Sequence, residues 1–413
     1  MKVFKFGGAS VKNAEAVRNT ASIIQSFSSE KLVVVVSAMG KTTNALERVA
    51  SAILRKQDVL AELKPLIEYH AEILRQLFPS QHPVFAQVEK IFASIQELAK
   101  QEMLEDQLYD QVVSVGELVS TIILTEYLNT LNLHAIWLDA RAYVFTDATY
   151  REGKVDWIKT KAAIASLTIQ GSSLFITQGF IGRSPEGFTT TLGREGSDFT
   201  AAIFASCLGA ESVTIWKDVP GVMNADPKRL PAAVVFEELP FKEAAEMTYY
   251  GASVIHPKTI KPLANAGIPL LVKNFDDPSL PGTRIHECKV EELQPLIVFK
   301  DNQCLISCKV TDYTFIDEEQ LSVIFKALSE LDIKINLMQN SAISFSFCVD
   351  FRESKILKLI EKLQHHFEVY YNTGLTLITV KNYDEKAFDH FRKQQGVILE
   401  QSSRSTLQVL VRN

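Results

Sequence analysis

The stretch Thr189-Thr190-Thr191-Leu192-Gly193-Arg194-Glu195-Gly196-Ser197-Asp198-Phe199-Thr200-Ala201 gathers two glycines, an arginine, an aspartate and a helix start. Gly193 and Gly196 permit a tight loop with positive φ and close backbone approach. Ser197 is expected to cap the helix that follows, whose apolar side begins at Ala201, Ala202, Phe204 and Ala205. Such a helix end offers free N–H groups and partial positive charge. Arg194 adds a planar fork that matches a carboxylate. This chemistry suits a small charged ligand. The alternative is a capped loop in which Arg194 and Asp198 pair with each other.

Further polar loops follow apolar runs. Lys5-Phe6-Gly7-Gly8-Ala9-Ser10 sets a lysine at a strand end and two glycines in the turn after it. That suits a phosphate, although a plain β-turn needs the same glycines. It is neither a Walker A sequence nor G-x-G-x-x-G. Ser37-Ala38-Met39-Gly40-Lys41-Thr42-Thr43-Asn44 is a second such loop. It reads as a ligand loop or as a simple cap, with Thr43 or Asn44 starting a helix at Ala45. Ser114-Val115-Gly116-Glu117-Leu118 puts an acid at a helix start, there to offset the dipole or to meet a ligand amino group. Trp216 to Lys228 is dense in Asp, Pro, Gly and Lys. It reads as a nucleotide lip or as a structural loop with surface lysines. His256, directly before Pro257, reads as a structural histidine.

The elements that position these residues alternate. Strands are expected at Val3–Phe6, 32–36, 135–138, 174–177, 213–216 and 270–272, with helical patterns between most of them. The β-branched run 32–36 suits a strand buried on both faces. Phe180-Ile181-Gly182 and 188–191 flank Arg183 to Gly187 as a hairpin. Residues 45 to 130 read as packed helices inserted between strands. Glu68, His70 and Glu72 within them read as a solvated face, since that spacing does not share one helical side. After residue 295 the pattern turns to strand, helix, strand, strand, helix, then to a partial repeat. The fold class expected is α/β, a mostly parallel central sheet between helical layers, followed by smaller α+β units.

Composition bounds the function. The chain has 413 residues, a net charge of −6 and five cysteines. The acidic balance and the absence of a basic stripe argue against nucleic acid. The cysteines read as buried free thiols in a reducing compartment. No signal peptide is expected at the N-terminus, and no apolar run suggests a membrane span. A cytoplasmic protein is expected.

In order, KFGGAS, VVVVSAMGKTTN, SVGELVS, FITQGFIG, TTTLGREGSDFTAA, WKDVPGVMNADP and EAAEMTYYGASVIHPKTIKPLANAGIPLLVKN resemble the aspartate kinases of the amino acid kinase fold. The resemblance runs from residue 3 to about 275 and continues through a tail resembling a pair of ACT regulatory domains. It implies a kinase domain over 1–290, an ACT-like unit over 298–371 and a shortened one over 372–413, without a final helix and strand. It also implies transfer of the ATP γ-phosphoryl group to the side-chain carboxylate of L-aspartate. The product would be 4-phospho-L-aspartate, in the first step of lysine, threonine and methionine biosynthesis. Lys5 would then contact the transferring group, with Gly7 and Gly8 lending N–H groups and Asp198 orienting Lys5. Arg194 would hold the substrate α-carboxylate and Glu117 its ammonium, with Ser37 and Thr43 lining the pocket. Lys217, Asp218, Met223 and Lys228 would sit at the nucleotide. Mg²⁺ would arrive on the nucleotide, with few dedicated protein ligands and no residue named for it. A lysine or threonine effector and a homodimer through the ACT-like units are implied as well.

The chain departs from the family at named positions. Ala9 stands where Thr is usual, Glu195 where Gly is frequent, Ser253 where many members have Lys, and Met223 where many have Tyr. Lys217 replaces a common Thr and could compensate for the cation missing at Ser253. The loop from Thr311 to Asp317 lacks the usual glycine and carries two acids, while Leu337-Met338-Gln339-Asn340-Ser341 resembles an effector segment. Two other readings are open. One is a kinase for glutamate, acetylglutamate or UMP, against which the helical insertion and the tail weigh. The other is a regulatory subunit with impaired catalysis, against which Lys5, Glu117, Arg194 and Asp198 weigh.

Overall fold

The computed structural model describes residues 1–169, 173–252, 255–290, 293–311 and 315–412, so Ser253 lies outside the described residues. The chain forms two compact units. The first comprises Met1–Val222, Val235–Ala245 and Ser253–Val290, and the second Met223–Val234, Glu246–Ala252 and Glu291–Asn413.

The first unit is built on strands β1 (Lys2–Phe6), β2 (Leu32–Val36), β3 (Ile136–Leu138), β4 (Leu174–Gln178), β5 (Ile181–Arg183), β6 (Thr189–Thr191), β7 (Ser212–Lys217), β8 (Glu238–Pro240), β9 (Leu270–Asn274) and β10 (Thr283–His286). Eight of them form one sheet in the order β3-β4-β2-β1-β7-β9-β10-β8. Its pairings from β3 through β9 are parallel, and β10 turns antiparallel to β9. All five residues of β2 are buried, as a strand covered on both faces requires. β5 and β6 make the expected separate antiparallel hairpin.

The helices of this unit are α1 (Ala14–Gln25), α2 (Thr42–Leu54), α3 (Val59–Leu77), α4 (Val84–Leu98), α5 (Glu105–Val113), α6 (Val115–Thr130), α7 (Trp157–Ala165), α8 (Gly196–Leu208) and α10 (Pro257–Ala266), while α9 (Phe241–Tyr250) is divided between the two units. Alternate strand residues Phe4, Phe6, Leu32, Val34 and Val36 share one core with α1 through α6. The alternation aims Val3, Val33, Val35 and Ile215 the other way, where α8 packs on β1, β2 and β7. The inserted helices α2 through α6 thus enlarge one hydrophobic layer. Among the described residues one stretch, Glu105–Thr130, is long and apolar enough by length and composition to cross a membrane. However, 83% of its apolar window is buried, as in a core helix.

The second unit carries β11 (Leu296–Lys309), α11 (Glu318–Glu330), β12 (Ile335–Asn340), β13 (Ser344–Asp350), α12 (Glu353–Leu363), β14 (Glu368–Lys381), α13 (Glu385–Arg392), β15 (Val397–Ser402) and β16 (Thr406–Arg412). One antiparallel sheet has the order β12-β13-β11-β14-β16-β15. β11 and β14 are 14 residues long and irregular between Lys300 and Leu305. Residues 303–309 of β11 pair with β13 and with the start of β14. Residues 296–300 pair with the end of β14, which pairs on with β16. The strand expected to be missing from the second ACT-like unit is therefore supplied by Leu296–Lys300. Sequence order hid this, because that segment precedes the first unit. In the loop before α11, Asp317 is a helix cap, accepting from the N–H groups of Glu319 and Gln320. Residues 312–314 of that loop lie outside the described residues.

Candidate active site

Adjacent parallel strands β1 and β7 bring Lys5 and Lys217 to the carboxyl end of the sheet, where open α/β sheets collect ligands. Asp198, in the first turn of α8, sits between them. Its carboxylate is 2.7 Å from Lys5 Nζ and 3.8 Å from Lys217 Nζ. The Asp198 and Lys5 side chains are 4% and 11% exposed, so water screens their attraction weakly. Asp198 thus pairs with the two lysines, not with Arg194. Arg194 is exposed and makes no hydrogen bond or ion pair among the described residues.

The loop around Arg194 differs from expectation in its cap. The helix begins at Gly196, so Ser197 lies inside it and does not cap it. The residue before the helix, Glu195, takes the left-handed conformation at φ 53°. Gly193 has φ 76° as expected, whereas Gly196 does not need positive φ. A Cβ on Gly196 would lie 2.6 Å from the Phe180 ring, so close approach is its reason. The N–H groups of Gly196, Asp198 and Phe199 bond to the Gly193 and Glu195 carbonyls. The helix end therefore has few free donors, and the strong anion-binding group of this loop is Arg194. Glu195 Oε2 is buried without a partner. Glu195→Gly is expected to stabilise the protein by ~1 kcal/mol, since left-handed backbone costs about that much for a residue with a Cβ. Thermal melting checks this.

Gly7 and Gly8 follow β1 as expected. Here, too, the requirement is contact and not φ. A Cβ on Gly8 would lie 2.7 Å from the Ala38 carbonyl oxygen and 2.8 Å from that of Gly40. The Gly40 N–H donates to the Gly8 carbonyl at 3.0 Å, and the Ser37 N–H to that of Phe6 at 3.1 Å. The two strand-end loops are thereby locked together. Gly8→Ala is expected to cost ~1–3 kcal/mol through forced backbone shifts, read as a lower melting temperature.

The Ser37–Thr43 loop leads straight into α2, which starts at Thr42, so Thr43 is inside the helix and neither it nor Asn44 is the cap. Helix α3 braces this loop. Tyr69 donates its hydroxyl proton to the Lys12 carbonyl. His70, expected on a solvated face, is fully buried, with Nδ1 2.8 Å from the Leu66 carbonyl and Nε2 3.3 Å from the Thr42 hydroxyl. Burial pushes its imidazole down to about 4, so the ring is neutral at physiological pH. Glu68 and Glu72 are exposed, as expected.

Glu117 stands in the first turn of α6 and is 2% exposed. Its Oε1 accepts from the Ala38 N–H at 3.3 Å, while Oε2 is buried without a partner. Among the described residues no cation meets it, and burial raises its carboxyl to about 8. A carboxylate offset only by the helix dipole would lie at the surface. A buried oxygen without a partner instead suits a ligand cation. Gly116 beside it admits Ala38, since a Cβ there would lie 2.9 Å from the Ala38 Cβ.

Of the other expected residues, Ser37 is half-buried and Asp218 is exposed next to Lys217. Met223 and Lys228 belong to the second unit, where the Lys228 N–H donates to Asp226 in an exposed turn. His256 caps α10, its Nδ1 accepting from the Lys258 N–H at 3.2 Å, in keeping with a structural role. Sequence reading missed Asp110, Gln111, Tyr69 and Gln178. Gln178 is fully buried, accepting from the Ala140 N–H at 2.7 Å and donating to the Thr121 hydroxyl at 2.7 Å. Only a polar residue ending an apolar strand could have signalled it. Among the described residues, no cluster of three or more His, Cys, Asp or Glu side chains could hold a metal ion.

The comparisons agree on one family. The amino acid kinase family model matches residues 1–274. Lysine-sensitive aspartokinase 3 of Escherichia coli (strain K12) is 34% identical over 357 residues, which cover 84% of this chain and 78% of the relative. Aspartokinase 1, chloroplastic, of Arabidopsis thaliana is 33% identical over 359 residues, covering 84% of this chain and 63% of that protein. The structure of E. coli aspartokinase III in complex with aspartate and ADP has a TM-score of 0.83 at 28% identity, over 100% of this chain and 96% of that one. The same enzyme in complex with lysine and aspartate has a TM-score of 0.82 at 29% identity, with the same coverage. With a family model over most of the first unit and relatives that extend into the second, the chain belongs to the amino acid kinase family and, within it, to the aspartokinases.

Proposed function

We propose that this site transfers the γ-phosphoryl group of ATP to the side-chain carboxylate of L-aspartate, giving 4-phospho-L-aspartate. The observation that carries the reading is Asp198 clasped between Lys5 and Lys217 at the ends of two adjacent strands. A carboxylate attacking a phosphoryl group brings two anions together, so fixed cations must offset their repulsion. Lys5 does this at the transferring group, and Asp198 holds its ammonium in place. Lys217 supplies a second cation on the nucleotide side, with Asp218 beside it. Arg194 takes the substrate α-carboxylate as a fork, and Glu117 takes its ammonium through the buried oxygen that has no partner. Gly7 and Gly8 let backbone approach the phosphates, and Ser37 and Thr43 line the pocket. Met223 and Lys228 are proposed to touch the nucleotide. Mg²⁺ bound to the nucleotide supplies further charge neutralisation.

The second unit is proposed to regulate the first as two ACT-like domains, nominally over 298–371 and 372–413, that share the long strands β11 and β14, with the kinase domain over 1–290. Lysine is the proposed effector, supported by the similarity to the lysine-bound E. coli enzyme. A homodimer through these units is proposed with it.

The test is acyl-phosphate formation from ATP and L-aspartate, trapped as the hydroxamate, with lysine titrated in. Turnover with L-aspartate and not L-glutamate is expected. Well-folded protein without turnover would transfer the weight to a regulatory subunit. Arg194→Ala is expected to raise the KM for aspartate about 30-fold or more, the equivalent of ~2 kcal/mol for a charge-assisted pair, with little change in KM for ATP. An unchanged aspartate KM removes Arg194 from substrate binding.

A further inference from the structure

The strand that leads into Arg194 is gripped by two side chains of α5. Asp110 is fully buried. Its Oδ2 accepts from the backbone N–H of Thr191 at 2.8 Å and of Arg151 at 2.9 Å, and its Oδ1 accepts from the Thr191 hydroxyl at 2.8 Å. Gln111 and Thr189 exchange two bonds. The Gln111 Nε2 donates to the Thr189 carbonyl at 2.8 Å, and the Thr189 N–H donates to Gln111 Oε1 at 3.1 Å. Residues 189 and 191 share one edge of β6, where these side chains stand in for a neighbouring strand, while β5 takes the other edge.

This is costly chemistry for a mere fastener. No ion pair reaches Asp110 among the described residues, because the Arg151 guanidinium meets Asp106 at 2.5 Å and Glu105 at 3.7 Å. Burial raises the Asp110 carboxyl above its ordinary range despite three hydrogen bonds. The Arg151 backbone it holds is left-handed, at φ 64°. An apolar side chain could hold a hairpin against a helix without that desolvation cost. What it could not do is fix where the strand sits along the helix, which directed bonds do.

That position has a consequence at the active site. The chain stays helical from α5 through Ser114 (φ −61°, ψ −21°) into α6. Glu117 therefore lies about two turns beyond Asp110, on the same side of the helix and roughly 10 Å along it. On the strand side, Arg194 is three residues beyond the end of β6. We propose that Asp110 and Gln111 are positioning residues that set the spacing between Arg194 and Glu117, and so the fit of the amino-acid head group. The proposal rests on the reading of those two residues as the carboxylate and ammonium arms.

The test uses two full-length variants. Asp110→Asn loses at least one acceptor bond, because an amide nitrogen cannot accept. Gln111→Met, at a half-buried position, loses both bonds to Thr189 with little risk to folding. In each, the KM for L-aspartate is expected to rise about tenfold or more, as a shift of ~1 Å can cost up to ~100-fold. The kcat and the KM for ATP are expected to stay within about twofold. In an Arg194→Ala background the same substitutions are expected to raise the aspartate KM no further, since the arm they position is gone. An unchanged aspartate KM in Gln111→Met overturns the proposal. So does a full additional rise in the Arg194→Ala background, and either result leaves the pair as hairpin fasteners. An unchanged KM in Arg194→Ala alone instead removes the arm assignment, and the proposal with it.

Discussion

Lys5→Met is expected to lower turnover on the order of 10³-fold while leaving the KM for aspartate nearly unchanged. The ammonium lies in a side chain only 11% exposed, where its charge is poorly screened and solvent cannot readily replace it. Its work falls in the transition state, when charge spreads over the transferring oxygens, so the loss belongs in kcat. A stability effect must be separated from this. Without Lys5, Asp198 keeps, among the described residues, the Lys217 ammonium alone at 3.8 Å, so the single variant is expected to lose ~1–3 kcal/mol. The double variant Lys5→Met/Asp198→Asn removes the stranded carboxylate and is expected to regain most of that stability without regaining turnover. Single-turnover kinetics and thermal melting of the two proteins distinguish the contributions. Turnover within tenfold of the parent would take Lys5 out of the chemical step.

Glu117→Gln is expected to abolish tight aspartate binding and, at the same time, to stabilise the ligand-free protein at alkaline pH. Burial raises the folded carboxyl to about 8, against an ordinary value of 4.5. Below the ordinary value the group is neutral in both states and has no effect. Between that value and about 8, the unfolded chain ionises first, so stability falls as pH rises. Above about 8 the full cost is present, on the order of a few kcal/mol. Glutamine carries no such cost, so the two proteins should match in stability near pH 4 and diverge by pH 8. Binding gives the complementary signal. At pH 7 the free protein holds Glu117 mostly protonated, and an arriving ammonium favours the carboxylate. Aspartate binding should therefore release close to one proton at pH 7 and almost none above pH 9. Calorimetry in buffers of different ionisation enthalpy reads this directly. The same release from Glu117→Gln would mean that another group meets the ammonium.

What could be read in the sequence depended on how local the cause was. β2 was legible to the residue because an unbroken β-branched run has one comfortable home. The inserted helices were legible from their periodicity. The short strands β8 and β10 were not, since each has only three or four residues and β8 is held by a partner more than 40 residues downstream. At the site, the residue types of Lys5, Asp198, Arg194 and Glu117 carried the signal, and the geometry joins the first two. The cap was misread because Ser197 is a favourable cap by type, whereas the tight turn after Gly193 starts the helix two residues earlier and puts Glu195 in left-handed backbone. His70 was misread because nothing nearby shows that Phe92 and Thr42 will close over it. Asp110 and Gln111 were invisible because their partners lie about 80 residues downstream.

The two long strands of the second unit also constrain how that unit comes into being. Residues 303–309 of β11 meet β13 about 40 residues later, but Leu296–Lys300 meet their strand partner, Leu377–Lys381, only after roughly 80 residues of chain have been made. A nascent chain must hold this short apolar segment without its strand partner through that interval, which is an invitation to off-pathway association. Nor can the unit be divided. A cut between residues 371 and 372 severs β14 at its middle and takes the edge partner Leu296–Lys300 from the C-terminal half. Separately expressed halves are therefore expected to refold only when mixed, as complementing fragments of one structure.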